Sequence, residues 1–175
     1  MESIVKLDLG EITVSTFTQN LITAKYVSWL NDPLVVRYSE QRHTIHTLDS
    51  CQEYFDAIKI SNNHFLAIFS KDSELGHIGN ITATVDKANS TVDLSILIGD
   101  KRAWGKALGL KAWLGVQNYF LNELNFRMVT AGTMAENKAM LSVMKKSGMQ
   151  VNCTRPGLMI WEGQEVDMVY ASIIS

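Results

Sequence analysis

Two hydrophobic periods alternate along this chain, and that alternation limits its folds more than any other feature. Segments in which apolar residues recur at every second position give way, several times within 175 residues, to segments in which they recur every third or fourth. A strand buries one face at period two and a helix buries one stripe at period 3.6, so a chain that keeps switching must stack helices on a sheet. The clearest strand is Thr91–Ile98, with Val92, Leu94 and Ile96 on one face and Asp93, Ser95 and Leu97 on the other. Further strands are predicted over 12–17, 65–69, from about 74 to 82, over 127–131, 149–154 and 166–173, with those at 65–69 and 74–82 paired as a hairpin. No linker, repeat or charge block breaks the pattern, and 175 residues suffice for one core. The expectation is one domain over 1–175 of mixed α/β (α+β) class.

Helices are predicted between these strands. Thr23 caps a short one that ends at Asn31-Asp32-Pro33. A second covers about 47–61, apolar at Leu48, Cys51, Tyr54, Phe55 and Ile58, with Ser50 and Glu53 at capping-box spacing. A long one covers 104–124, where Trp104, Trp113 and Tyr119 read as packing residues. The last covers 135–146 and closes on Ser147-Gly148, a glycine where a left-handed cap is wanted.

Composition excludes several classes. Sixteen Lys+Arg against eighteen Asp+Glu give a net charge of −2, and the basic residues are scattered, so no nucleic-acid partner is expected. No apolar run reaches the roughly 18 residues of a bilayer span, and the first residues lack a basic stretch followed by an apolar one. A cytoplasmic protein with no membrane partner is expected. Cys51 and Cys153 then read as reduced thiols packed as small hydrophobes. His43 and His46 have H-x-x-H spacing but no third ligand stands out, so no metal is expected.

Chemistry is concentrated where the strand Thr91–Ile98 runs through Gly99-Asp100-Lys101-Arg102-Ala103-Trp104-Gly105-Lys106-Ala107-Leu108-Gly109 into the long helix. A strand-to-helix junction with glycines and a basic pair offers free backbone N–H groups and the positive end of a helix dipole, which together suit an anion. A P-loop is ruled out, since Asp100 stands at its first glycine and Ala107 at its hydroxyl. The dinucleotide fingerprint is ruled out by the spacing of Gly105 and Gly109. Packing of the two glycines against a sheet is the plain alternative to ligand binding.

The segment Arg102-Ala103-Trp104-Gly105-Lys106-Ala107 resembles the [QR]-x-x-G-x-[GA] acetyl-CoA motif of the GNAT N-acetyltransferase superfamily. Ile98-Gly99-Asp100-Lys101, Trp29-Leu30-Asn31-Asp32-Pro33 with Arg37-Tyr38, and Glu136-Asn137 with Lys146-Ser147-Gly148-Met149 are similar to its ribosomal-protein-alanine acetyltransferase branch. The resemblance implies a twisted, mixed and mostly antiparallel sheet flanked by helices, with two central strands splayed apart. It implies acetyl-CoA as cosubstrate, held by backbone groups near Leu97 and Ile98, by the loop from Arg102 through Trp104, Gly105, Lys106 and Ala107 to Gly109, and by Asn137. For Asn137 the alternative is a helix-start residue that bonds its own backbone.

Amide formation from a thioester needs a neutral amine, because aliphatic ammonium groups have pKa values near 10. The resemblance implies direct attack in a ternary complex, and Asp93 is the first candidate for the base, acting through water. Glu40 and His43 follow it, in the polar loop Arg37-Tyr38-Ser39-Glu40-Gln41-Arg42-His43-Thr44 that lines the acceptor side in relatives. His77 reads as a structural histidine. Where many relatives place an acidic Tyr this chain has Met144, with Met140 and Met149 at two further departures, which leaves Ser142 or water to protonate the thiolate. Arg37 and Arg42 are the candidates for binding the acceptor, which is expected to be a primary amine such as a nucleotide-linked amino sugar or a protein N-terminus. The rival reading is an acyl-CoA-binding module or sensor without turnover. A homodimer stays open.

Overall fold

The structure, a computed structural model, describes residues 5–175; residues 1–4, most of the stretch Met1–Lys6 in which no export signal is expected, lie outside them. Eight strands form one sheet in the order β1-β2-β3-β4-β5-β6-β8-β7. These are β1 (Lys6–Asp8), β2 (Ile12–Thr16), β3 (His64–Ser70), β4 (His77–Asp86), β5 (Thr91–Ile98), β6 (Met128–Met134), β7 (Gln150–Trp161) and β8 (Gln164–Ile174). Every neighbouring pair is antiparallel except β5 and β6. That one parallel pair needs a crossover, and α3 (Leu108–Asn118) supplies it. The mixed α/β class expected from the alternation and the mostly antiparallel sheet implied by the resemblance are both found, with β3 and β4 as the expected hairpin.

Helices cover both faces. α3 and α4 (Lys138–Lys146) pack on one, where Trp113, Val116, Phe120 and Met144 meet Val14, Leu66, Ile81, Val92 and Leu94. α1 (Ala24–Leu30) and α2 (Leu48–Lys59) pack on the other, where Tyr26, Trp29, Leu30 and Cys51 meet Phe17, Phe65 and Ala67. Because β3 is covered on both sides, its run from Phe65 to Ile68 is buried without interruption. Each large apolar side chain placed here contributes about 1.5–3 kcal/mol. A buried polar chain ties α3 to the end of α4: Trp113 Nε1 donates to Gln117 Oε1 (3.2 Å) and Gln117 Nε2 to Ser147 O (3.0 Å).

Several boundaries differ from expectation. The long helix begins at Leu108, not Trp104, because Gly105 and Ala107 both take positive φ (74° and 58°) and interrupt the helical path. It ends in a π turn, Tyr119–Glu123. Trp104 is therefore no core residue: it is 38% exposed, whereas Trp113 is fully buried. The capping box of α2 joins Thr47 to Ser50, not Ser50 to Glu53. Cys51 is buried as expected, but Cys153 lies exposed on β7. β1 and the outer half of β7 were not legible as strands; β7 carries its burial poorly, with Val151 and Ile160 exposed.

Candidate active site

The site is organised by a ladder that stops. β5 and β6 pair only at Thr91↔Met128, Val92↔Val129 and Asp93↔Thr130. Past Asp93 the strands diverge, as the resemblance implied. Ser90 O accepts from Arg127 N (2.9 Å), so the even-numbered residues of β5 turn their backbone groups toward β6. Leu94, Ile96 and Ile98 therefore present unladdered backbone to the gap. Ile98 O accepts from Trp104 Nε1 (2.8 Å), a bond that folds the indole back over the strand end. Leu97 instead turns its carbonyl to β4, where it lies 2.3 Å from the point a Cβ at Gly79 would occupy. A glycine there is a requirement of close approach.

Beyond β5 the chain makes a 3-10 turn, Lys101–Ala103, and then the loop into α3. The chain turns from Trp104 to Ala107, and among the described residues none of the N–H groups of Gly105, Lys106, Ala107, Leu108 and Gly109 makes a hydrogen bond of normal length and angle. Five consecutive unpartnered donors at a helix start make a concavity for an anion. A Cβ at Gly105 would touch nothing within 4 Å, so its value is its φ and the bare surface it leaves. Gly109 differs: its Cβ would press Ile98 Cγ1 at 3.2 Å, so here the packing alternative holds.

Charges in this loop are unequally engaged. Asp100 is 6% exposed and takes Arg102 Nε (3.0 Å) and Arg102 Nη2 (2.7 Å), the Arg102 amide (3.1 Å) and Lys25 Nζ (3.2 Å). The Arg102 guanidinium above all holds its carboxyl well below the usual carboxylate range, against the opposing effect of burial. Arg102 is thus a partner to Asp100, while Lys106 is exposed and has no ion-pair partner among the described residues. Lys25 also donates to Leu75 O (3.2 Å) and His77 O (2.8 Å), and Trp29 covers Gly99 so closely that a Cβ would sit 2.0 Å from its ring. α1 and the loop are one packed unit.

On the α1–α2 face a cavity of about 250 Å³ reaches the unpaired end of β5. Tyr26, Ser39, Gln41, Thr44, His46, Ser50, Cys51, Tyr54, Asn80, Thr82 and Ser95 to Leu97 line it. Cys51 is no activated nucleophile, since burial pushes its thiol pKa up. His77 donates from Nε2 to Gly79 O (3.1 Å) and Asn80 Oδ1 (2.9 Å), and burial lowers its pKa, so it is a neutral structural histidine. A second, outer cavity of about 520 Å³ shares Leu30 and Thr44 with the first and is lined further by Arg37, Arg42, His43, Ile45, Trp161 and Glu162.

The candidate bases are separated by this arrangement. Asp93 lies two residues before Ser95 on the cavity-facing side of β5, at the last rung shared with β6. Thr130 Oγ1 donates to its Oδ2 (2.7 Å), and the protein crowding the carboxylate raises its pKa although the residue keeps contact with solvent. Glu40 gives its carboxylate to Arg42 (2.9 Å), and His43 is 3.8 Å from the same carboxylate at the outer cavity. His43 and His46 line different cavities, so the H-x-x-H pair does not converge. No group of three His, Cys, Asp or Glu able to hold a metal occurs among the described residues.

Asn137 behaves as the helix-start residue of the alternative reading. Its Oδ1 accepts from Met140 N (3.2 Å) and its Nδ2 donates to Thr133 Oγ1 (3.0 Å). Met144 is 2% exposed and belongs to the core, while Ser142 is exposed. Reading the sequence missed the cavity-lining Tyr26, Tyr54, Asn80 and Thr82, whose only signal is that they share inward faces with core residues. Trp161 had none, because a hairpin more than a hundred residues away brings it in.

The family model described as acetyltransferase (GNAT) domain matches residues 12–150. Among solved structures, an acetyltransferase of the GNAT family from Bacillus anthracis superposes with a TM-score of 0.82 at 15% identity, over 97% of this chain and 98% of that one. Spermidine N-acetyltransferase from Vibrio cholerae, solved with CoA and spermine, gives 0.82 at 13% identity over 94% and 95%. The ribosomal-protein-S5-alanine acetyltransferase from Vibrio fischeri gives 0.77 at 14% identity over 97% and 96%. No curated protein matches by sequence.

Proposed function

The chain belongs to the GNAT acetyltransferase family, and from that premise we propose that it moves the acetyl group of acetyl-CoA onto a primary amine by direct attack, as one domain over 1–175. One observation carries the reading: the unpaired end of β5 borders a polar cavity on one side and leads, on the other, to five N–H groups that make no hydrogen bond of normal geometry among the described residues. Acetyl-CoA, the cosubstrate of the family, supplies the activated thioester. The residues present fit it, since the N–H groups of Gly105 to Gly109 with Lys106 suit a pyrophosphate and the β6-facing backbone of Ile96, with that of Ile98 beside it, suits an amide-bearing chain. Trp104 must release Ile98 O for that edge to be used in full.

The acceptor enters as an ammonium ion and must lose a proton. The inner cavity helps, because no Asp, Glu, Lys or Arg among the described residues lines it, which disfavours the charged amine. Asp93 takes the proton through water; its raised pKa makes it a better base than an ordinary carboxylate. Met144 has no proton to give, so water protonates the leaving thiolate. The acceptor is a small amine, such as a nucleotide-linked amino sugar, or a protein N-terminus.

Calorimetry with acetyl-CoA tests the first half. The wild type should bind in the micromolar range, and Gly105→Val should weaken binding by about tenfold, since a side chain then covers the N–H groups. Asp93→Asn should lower kcat by about 100-fold and leave acetyl-CoA affinity within about twofold. A folded protein that binds no acetyl-CoA overturns the proposal. A variant at Asp93 that keeps full kcat overturns its role as base.

A further inference from the structure

Charge divides the two cavities. The inner one is lined by hydroxyl, amide, imidazole and apolar groups. The outer one carries Arg37, Arg42, His43 and Glu162. Its two arginines are not equivalent. Arg42 is consumed by the fold: it donates to Glu40 Oε1 (2.9 Å), Ser39 O (2.9 Å) and, across to the β7 hairpin, Ile160 O (3.2 Å). Arg37 is exposed and has no carboxylate partner among the described residues. Its guanidinium lies 4.8 Å over the Tyr38 ring, which is itself 5.2 Å from the Trp161 ring. The ring contact steadies the guanidinium, and its N–H groups, which meet no carboxylate among the described residues, are available for a two-point contact with an oxyanion.

Leu30 and Thr44 line both cavities, so they adjoin. An acceptor whose amine lies in the inner cavity therefore extends its remaining part toward Arg37. Resting on the reading of the inner cavity as the amine site, the geometry points to the substrate class: a primary amine that also bears a carboxylate or a phosphate, with Arg37 binding that anion. A polyamine is the wrong substrate. It brings a second cation to Arg37, and no carboxylate among the described residues of the inner lining holds the first. Glu162, also on the outer lining, adds selection against an acceptor whose anion lies away from Arg37.

Matched acceptors test this. Thiol release from acetyl-CoA is measured with glucosamine 6-phosphate against glucosamine, with 4-aminobutanoate against butylamine, and with spermidine. At least one anionic member should exceed its neutral counterpart and spermidine by about tenfold in kcat/KM. The pair that shows the preference tells phosphate from carboxylate. Arg37→Gln should abolish that preference through KM, with the KM for acetyl-CoA unchanged. Equal use of neutral and anionic members, a preference for spermidine, or an unaltered preference in Arg37→Gln overturns the inference. So does bound acetyl-CoA with no thiol release from any of the five amines, a result that leaves the cofactor reading standing. Absence of acetyl-CoA binding by the folded protein overturns the proposed function itself.

Discussion

The two loops that flank the β5 end are built in opposite ways. The loop after β5 is anchored from within: Gly99 lies under Trp29, Gly99 N and Asp100 N both donate to Ile78 O (2.9 and 3.1 Å), Asp100 is buried with Arg102 and Lys25, and Lys101 reaches Asp32 (2.5 Å). The loop from Arg37 to His46 is held mainly by local contacts at the surface. Ser39 caps its 3-10 turn, Glu40 pairs with Arg42, and the Asn31 amide clamps the backbone of His46 on both sides (2.8 Å each). The difference fits the ligands proposed for them. A loop that offers bare N–H groups to one unchanging cosubstrate gains from rigidity. A loop that selects the acceptor can change its side chains without disturbing a core.

Gly99 gives the largest expected effect. An alanine Cβ would stand 2.0 Å from the Trp29 indole, and a ring packed between α1 and the sheet cannot yield by that much. Gly99→Ala should cost about 3 kcal/mol in chemical denaturation. A loss below about 1 kcal/mol would show that α1 and the loop are not packed as one unit.

Asp100 comes next. Asp100→Asn leaves Lys25 and Arg102 without their shared carboxylate and should cost about 2 kcal/mol at neutral pH. The acid limb checks the sign. Folding lowers the Asp100 pKa below the ordinary 3.8, so its contribution is present above that value and is lost as pH falls through and below it. His77, whose pKa folding also lowers, starts an earlier loss as pH drops below 6.5. The variant should therefore keep the loss that begins near 6.5 and show a shallower one below pH 4. An unchanged acid limb in Asp100→Asn would refute the anchoring role.

The same contrast governs what was legible in the sequence. Period-two and period-3.6 patterns gave the element types, because burial of one face leaves a local record; β5, with Val92 and Leu94 buried and Asp93 and Ser95 exposed, is the clearest case. The motif Arg102 to Ala107 was legible because positive φ and bare amides call for small residues at fixed spacing. The helix after it starts one turn later than its pattern predicts, since nothing in a pattern announces that Ala107 adopts φ 58°. The roles of Arg102 and Arg42 were legible only as charge. That Arg102 turns back onto Asp100, two residues before it, depends on a turn that buries the carboxylate, and that Arg42 spans to Ile160 O is a long-range fact. The inner cavity was least legible, as Tyr26, Asn80 and Ser95 come from three elements and share no local signal.

Glu40 gives the smallest expected effect and sharpens the comparison most. Its carboxylate is 63% exposed, pairs with Arg42 at 2.9 Å, and belongs to neither cavity lining. Glu40→Gln removes the charge and keeps a hydrogen-bond acceptor, while Arg42 still holds Ser39 O and Ile160 O. An exposed ion pair of this kind is worth about 0.5 kcal/mol, so thermal unfolding should hardly move. If Asp93 is the base, kcat should also stay within about twofold, against the roughly 100-fold loss expected from Asp93→Asn. A collapse of kcat in Glu40→Gln with KM for acetyl-CoA intact would transfer the proton to the acceptor loop. That loop would then be chemical machinery, and its slight anchoring would need another explanation than freedom to vary.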